Sequence, residues 1–222
     1  MSENLTKRVF TSLLLLSILL LCLFLNRYSW LFLIIFASII SFIEFSNLIK
    51  KIWKKNKSSI YLLNIICLFY LYFFILVVYQ DGRINEFRIL YILSMCILSD
   101  IGGYVIGKSF GGKKLTKISP NKTISGCLGS FAFSLISIIA IIYYDKHFGF
   151  FLTSTDYLKN IFFILFTSFI SQSGDLFISY IKRKAKVKDT GSILPGHGGL
   201  LDRIDGIMFA LPAGLILSKI IF

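Results

Sequence analysis

Apolar residues occur in long unbroken runs, separated by short polar segments, along the whole chain. Seven runs are long enough to cross a bilayer: 9–25, 30–48, 60–79, 89–106, 128–144, 161–181 and 204–222. They are continuous and lack the apolar/polar alternation of barrel strands, which predicts helices. The expected fold is therefore all-α, a polytopic integral membrane protein of about seven transmembrane helices with a polar cavity facing the cytoplasm. The expected organisation is one transmembrane domain over 1–222, with N-terminal helices in 1–98 and a catalytic half in 99–222. The first run follows Lys7 and Arg8, is long, and has no small-residue cleavage site before the second run, so it reads as a retained helix.

Composition agrees with a membrane solvent: 56% of the 222 residues are hydrophobic and the mean hydropathy is +0.78. Charge then orients the spans. With the N-terminus in the cytoplasm, 18 of the 24 Lys and Arg fall on the cytoplasmic side. The other six, Arg27, Arg83, Arg88, Lys146, Lys159 and Lys219, fall opposite. The net charge of +13 is parcelled into short loops with no soluble domain to carry a duplex, so anionic lipid and phosphate are expected partners and nucleic acid is not. Cys22, Cys67, Cys96 and Cys127 stand singly, without ligand spacing, and imply no disulfide.

An ionised carboxylate within a span costs roughly 2.5–3.5 kcal/mol at the bilayer centre, so acidic residues there are informative. Four qualify: Glu44, Asp100, Asp175 and Asp205. Glu44 is read equally well as a functional carboxylate and as a residue near a helix end that reaches water or an internal lysine. Helical spacing aligns Asp175 with Ser168, Gln172, Ser179 and Lys182 in one polar stripe, which is expected to line a cavity. Asp202 and Asp205 lie three apart on one helix face and could share a divalent cation. Asp202 alone also suits a helix start.

The densest polar stretch lies between the last two runs. It holds Ser179, Lys182 and Arg183, then Lys188, Asp189 and Gly191, then Leu194-Pro195-Gly196-His197-Gly198-Gly199, then Asp202, Arg203 and Asp205. Gly196, Gly198 and Gly199 around His197 let the backbone turn and present N–H groups to a phosphate, with Lys182, Arg183, Lys188 and Arg203 supplying charge. A second block upstream holds Asp100, Gly102, Gly103, Gly107, Lys108, Lys113, Lys114, Ser119 and Lys122. Its loop suits a triphosphate, while Gly103 and Gly107 equally suit close helix packing.

The run from Ser179 to Asp205 resembles the signature of phosphatidate cytidylyltransferases, also called CDP-diacylglycerol synthases. It reads Ser-x-x-Lys-Arg, four residues, Lys-Asp-x-Gly, then Leu-Pro-Gly-His-Gly-Gly-x-x-Asp-Arg-x-Asp. The upstream block and Gly174-Asp175-Leu176 extend the likeness over roughly 99–206. Where that family usually has Lys-Thr-Trp-Glu-Gly, this chain has Lys122-Thr-Ile-Ser125-Gly126, and it is short beside the family at its N-terminal side. The resemblance implies transfer of CMP from CTP to phosphatidate, releasing pyrophosphate, with one or two Mg²⁺ ions as cofactor. CTP, phosphatidate and membrane lipid are the implied partners, and a homodimer is compatible with it.

On this reading Asp175, Asp202 and Asp205 hold metal and, with Lys182, form the catalytic set. Substrate contacts fall to Ser179, Arg183, Lys188, Gly196, His197, Gly198, Gly199, Arg203, Asp100, Lys114, Ser119 and Lys122, with His197 either donating to pyrophosphate or ordering the turn. One composite site is expected, facing the cytoplasm of a bacterial inner membrane. Alternatives are a CTP-dependent transferase or kinase acting on another membrane lipid, and a transporter of phosphorylated anions.

Overall fold

The computed structural model describes residues 3–82, 86–116, 119, 122–139, 157–194, 196 and 198–221, with the side chains of 3–9 and 82 excepted. Among them run seven helices: α1 (Glu3–Leu25), α2 (Arg27–Ile52), α3 (Lys57–Gly82), α4 (Glu86–Phe110), α5 (Ile124–Ser134), α6 (Tyr157–Lys184) and α7 (Leu201–Ile221). The all-α membrane fold is as the sequence predicts. Five helices, α2, α3, α4, α6 and α7, are long and apolar enough to cross a membrane.

The other two expected spans are described only in part. Among the described residues, apolar helix covers Phe10–Leu25 of α1 and Ile124–Ile139 of the fifth run, the latter tightening beyond Ser134. There Ile136 N–H donates to Phe133 O, Ile138 to Leu135 and Ile139 to Ile136, three-residue bonds in place of four-residue ones. The hydroxyls of Ser134 and Ser137 also donate to backbone carbonyls three residues back, at 2.8 and 2.7 Å. The end of that run, 140–144, lies outside the described residues, as do Phe222 and the expected opposite-side cations Arg83 and Lys146.

Polar residues set the helix boundaries. Asn26 caps α2, its Oδ1 accepting from the N–H of Tyr28 and Ser29 at 2.9 and 2.8 Å. Asn56 does the same for α3 through Ser59 N–H at 3.1 Å. Thr123 caps α5 by accepting from Gly126 N–H at 3.0 Å. The C-terminus of α6 closes with Lys186 in the left-handed region, φ 55°. Val187 N–H reaches Lys182 O and Lys186 N–H reaches Arg183 O, each at 3.1 Å, the paired bonds of a Schellman turn. Val187 then packs on buried Leu48, Ile181 and Ala185.

The chain forms two compact units, Met1–Glu86 with Tyr180–Asp205, and Phe87–Ser179 with Gly206–Phe222. In the first unit α2 packs against α1 and α3. Trp30, Ile34, Leu48 and Ile49 of α2 are buried, and Trp30 Nε1 donates to Val78 O of α3 at 3.4 Å. In the second unit α4 and α5 meet backbone to backbone. A Cβ on Gly102 would stand 2.4 Å from Gly129 O, and one on Gly129 would stand 2.4 Å from Ile106 Cβ. Close approach of this kind is how membrane helices gain dispersion and Cα–H contacts where lipid offers no hydrophobic drive between helices. Gly103 and Gly107 belong to the same seam, a Cβ on either falling within 3.1 Å of α5 or its cap.

Candidate active site

In the second unit the polar stripe of α6 turns toward a cavity. Ser168 is buried and hydrogen-bonds Ser99 of α4 at 2.8 Å, and Gln172 Nε2 donates to Ser168 Oγ at 3.3 Å. One turn on, Asp175 Oδ1 accepts from Ser179 Oγ at 3.2 Å, and its Oδ2 forms an ion pair with Lys122. A cavity of ≈ 330 Å³ opens here, lined by Asp100, Ser119, Lys122, Gln172 and Asp175. Both members of the ion pair keep about a third of their side-chain surface, 30% for Lys122 and 31% for Asp175. The site therefore presents two carboxylates and one ammonium to a wettable space.

The loop from α4 to α5 delivers Lys122 by folding back on itself. Leu115 N–H donates to Lys122 O at 2.8 Å and Ile124 N–H to Lys113 O at 3.0 Å. Lys114 pairs with Thr123 across this return, and its side chain is exposed. Ser125, where the resemblance leads one to expect glutamate, is a hydroxyl donor to Gly111 O and lies 2.9 Å from Thr123 Oγ1. It ties the two ends of the loop together.

In the first unit the glycine-rich segment wraps around Asp202. Lys182 Nζ meets Oδ1 at 2.7 Å. Oδ2 accepts from Thr190 N–H at 2.7 Å, Gly199 N–H at 3.0 Å and Thr190 Oγ1 at 3.0 Å. The pair is nearly enclosed, with 14% of the Lys182 side chain and 5% of the Asp202 side chain exposed. Gly198, at φ 85°, makes the turn that a side chain resists, and Leu194 N–H closes on its carbonyl at 2.9 Å. The Gly199 N–H, expected to face a phosphate, here donates to Asp202.

A carboxylate from α2 completes this network. Glu44, 2% exposed, accepts Leu200 N–H on Oε1 at 3.0 Å, and Leu201 N–H and Thr190 Oγ1 on Oε2 at 2.9 and 2.7 Å. It thus caps α7 from another helix, meeting the positive end of the α7 dipole. The reading of Glu44 as a carboxylate that reaches water or an internal lysine does not describe it: it is sealed against backbone N–H groups and a hydroxyl. The carboxylate in an apolar run was the available signal. Nothing local ties it to Thr190, 146 positions away.

Around the loop, Arg183, Lys188 and Arg203 are exposed, as is Gly196 at φ 73°. Asp205 sits one turn into α7, half-buried. His197 and Pro195 lie outside the described residues, as do Lys117, Ile118, Pro120 and Asn121 of the upstream block. Asp100, Ser119, Lys122, Asp175 and Ser179 are thus gathered in the second unit, and Lys182, Gly199 and Asp202 in the first. Lys114 lies outside the lining of the cavity. Lys184, not among the expected site residues, sits 4.8 Å from the Tyr180 ring centroid and 5.9 Å from that of Trp53, an aromatic clamp on its charge.

The carboxylates differ in their fitness for a divalent cation. Magnesium keeps several waters and takes one or two protein carboxylates together with substrate phosphates. Asp175, with Asp100 lining the same cavity, fits that demand. Asp202 is more enclosed: two N–H groups and the Thr190 hydroxyl meet Oδ2, and a cation at Oδ1 would have to displace the Lys182 ammonium, as one at Asp175 Oδ2 would displace that of Lys122. Among the described residues no three Asp, Glu, His or Cys form a group that could hold a metal by themselves.

Fold and site together define a polytopic α-helical membrane protein whose polar loops are built on lysine–carboxylate pairs. A family model described as "Cytidylyltransferase family" matches residues 46–221, most of the chain. The chain belongs to the cytidylyltransferase family. Similar proteins carry the name phosphatidate cytidylyltransferase. That of Staphylococcus aureus (strain COL) is 43% identical over 129 residues, 56% of this chain and 46% of its own. That of Bacillus subtilis (strain 168) is 39% identical over 137 residues, 59% and 48% of the two chains. That of Rickettsia felis is 41% identical over 136 residues, 59% of each. The chain spans about half the length of the curated relatives it matches.

Proposed function

We propose that this protein is a CTP-dependent cytidylyltransferase acting on phosphatidate in a membrane, giving CDP-diacylglycerol and pyrophosphate. The observation that carries the reading is the half-open Lys122–Asp175 pair on a cavity also lined by Asp100 and Ser119, in a chain of this family. An oxygen of the lipid phosphate attacks the α-phosphorus of CTP. The new P–O bond forms as the α–β bridging bond breaks, and pyrophosphate leaves with the electron pair. Both reactants are anionic, so the reaction is governed by positioning and charge neutralisation. The lipid phosphate is already largely ionised at neutral pH, and no separate general base is needed.

Lys122 supplies a mobile ammonium at the cavity, while Asp175 holds it there until a phosphate competes for it. Asp175, with Asp100, is the carboxylate that would hold Mg²⁺, and the ion would supply positive charge to offset that of the phosphates. Lys188, Arg183 and Arg203 are exposed cations on or beside the glycine-rich loop, suited to pulling in polyphosphate. Asp202 and Lys182 fix that loop. Asp205 remains a proposed carboxylate of the catalytic set, and His197 a proposed member of the phosphate turn. The three-to-one bias of basic residues supports an N-terminus in the cytoplasm and, with bacterial relatives, an inner-membrane location.

The test is direct. Purified protein in mixed micelles with phosphatidate, Mg²⁺ and CTP labelled in the α-phosphate should move label into lipid and release one pyrophosphate per lipid product. Chelation of the metal should stop it. Label entering from the γ-phosphate would instead mean a kinase, and neither label nor pyrophosphate would remove the reading.

A further inference from the structure

The signature-bearing loop is held by a residue outside the signature. Glu44 precedes the family-matched segment by two positions and reaches that loop from α2. Its two oxygens take up the N–H groups of Leu200 and Leu201 and the Thr190 hydroxyl. Thr190 in turn meets Asp202 Oδ2 through both its N–H and its hydroxyl, and Asp202 Oδ1 holds Lys182. The hydroxyl has one proton and two carboxylate oxygens within 3.0 Å, so it is shared between Glu44 and Asp202.

Space around Glu44 is as constrained as charge. A Cβ on Gly191 would stand 2.5 Å from Oε1 and one on Gly199 2.4 Å from Oε2. Two glycines of the signature are therefore needed to let the loop close on this carboxylate. A carboxylate that is almost sealed from solvent and accepts three donors from the loop and the start of α7 is a template for loop shape. It lies one hydroxyl away from the Lys182–Asp202 pair.

We propose that Glu44 is a positioning residue for the transfer reaction: through Thr190, Leu200 and Leu201 it holds the 188–203 loop in the shape that presents its cations to phosphate. The proposal rests on the cytidylyltransferase reading above. Glutamine at this position keeps size but sets an NH₂ group against N–H donors, so the loop must shift. Thr190→Ser keeps the shared hydroxyl and Thr190→Val removes it.

The experiment compares Glu44→Gln, Thr190→Ser, Thr190→Val and the Glu44→Gln/Thr190→Val double variant, using monodisperse purified protein in lipid nanodiscs. Glu44→Gln should lower kcat roughly tenfold or more, the loss of a charge-assisted hydrogen bond, with KM for phosphatidate within about threefold. Thr190→Ser should stay within about twofold of the unaltered protein, and Thr190→Val should fall about as far as Glu44→Gln. The double variant should lose no more than the worse single one, since both break the same link. Amide exchange at 188–201 should rise in Glu44→Gln while that of α4 and α5 holds.

Unchanged turnover and exchange in Glu44→Gln would overturn the proposal, as would multiplicative losses in the double variant or equal losses in Thr190→Ser and Thr190→Val. If the unaltered protein makes no cytidylylated lipid, the functional reading fails instead. The exchange comparison then still decides whether Glu44 sets the loop.

Discussion

Two lysine–carboxylate pairs, one in each unit, are alike in chemistry and opposite in setting. Lys182–Asp202 is nearly closed, with Asp202 5% exposed and three further donors on one of its oxygens. Lys122–Asp175 opens on a cavity, both partners about one-third exposed, with one further donor, Ser179. A closed pair costs desolvation that only a complete set of hydrogen bonds offsets, so it fixes structure. An open pair is weak and exchangeable, so it can yield to a ligand. The contrast separates an enclosed aspartate from an accessible one, where the sequence offers both as metal ligands and gives Asp202 a helix-start alternative besides.

The sharpest way to break that contrast is to neutralise each aspartate. Asp202→Asn strands the Lys182 ammonium in an enclosed site and should cost about 3–5 kcal/mol of stability, read as a large fall in thermal midpoint in detergent. Asp175→Asn should cost under about 1 kcal/mol, because its pair is half-open. Its cytidylyl transfer should nevertheless fall on the order of 100-fold, measured with Mg²⁺ saturating. Were the two variants to exchange these outcomes, the division of labour would be wrong. A smaller effect sharpens the open side: Lys122→Gln should raise KM for CTP about tenfold with the thermal midpoint unchanged, as expected for the loss of one charge-assisted phosphate contact. An unchanged KM would remove Lys122 from the nucleotide site.

Much of the fold was legible because membrane helices announce themselves by length and hydropathy. Runs 30–48 and 161–181 became α2 and α6, each extended by several residues where Asn26 caps one and Lys182, Arg183 and Lys184 end the other. The fifth run is described only to Ile139, and hydropathy did not signal the tightening of its backbone past Ser134. Within the site, the 3.6-residue period placed Ser168, Gln172, Asp175 and Ser179 on one face of α6. The period could not show that Asp202 is saturated, because its partners Thr190 and Gly199 are set by a loop with no repeat. Glu44 was visible as an anomaly without an explanation, since contacts between residues 146 to 157 apart leave no trace in local pattern.

That separation matters for how the chain is made. Glu44 enters the bilayer with α2 well before residues 190–201 are synthesised, so its carboxylate spends that interval without the N–H groups that later satisfy it. Insertion of α2 must absorb a cost of up to roughly 3 kcal/mol from its own apolar residues. Its mean hydropathy of 2.1 over the best window is the reserve that makes this feasible. Synthesis of the 188–203 segment then removes that cost, and a loop made later locks a helix inserted earlier.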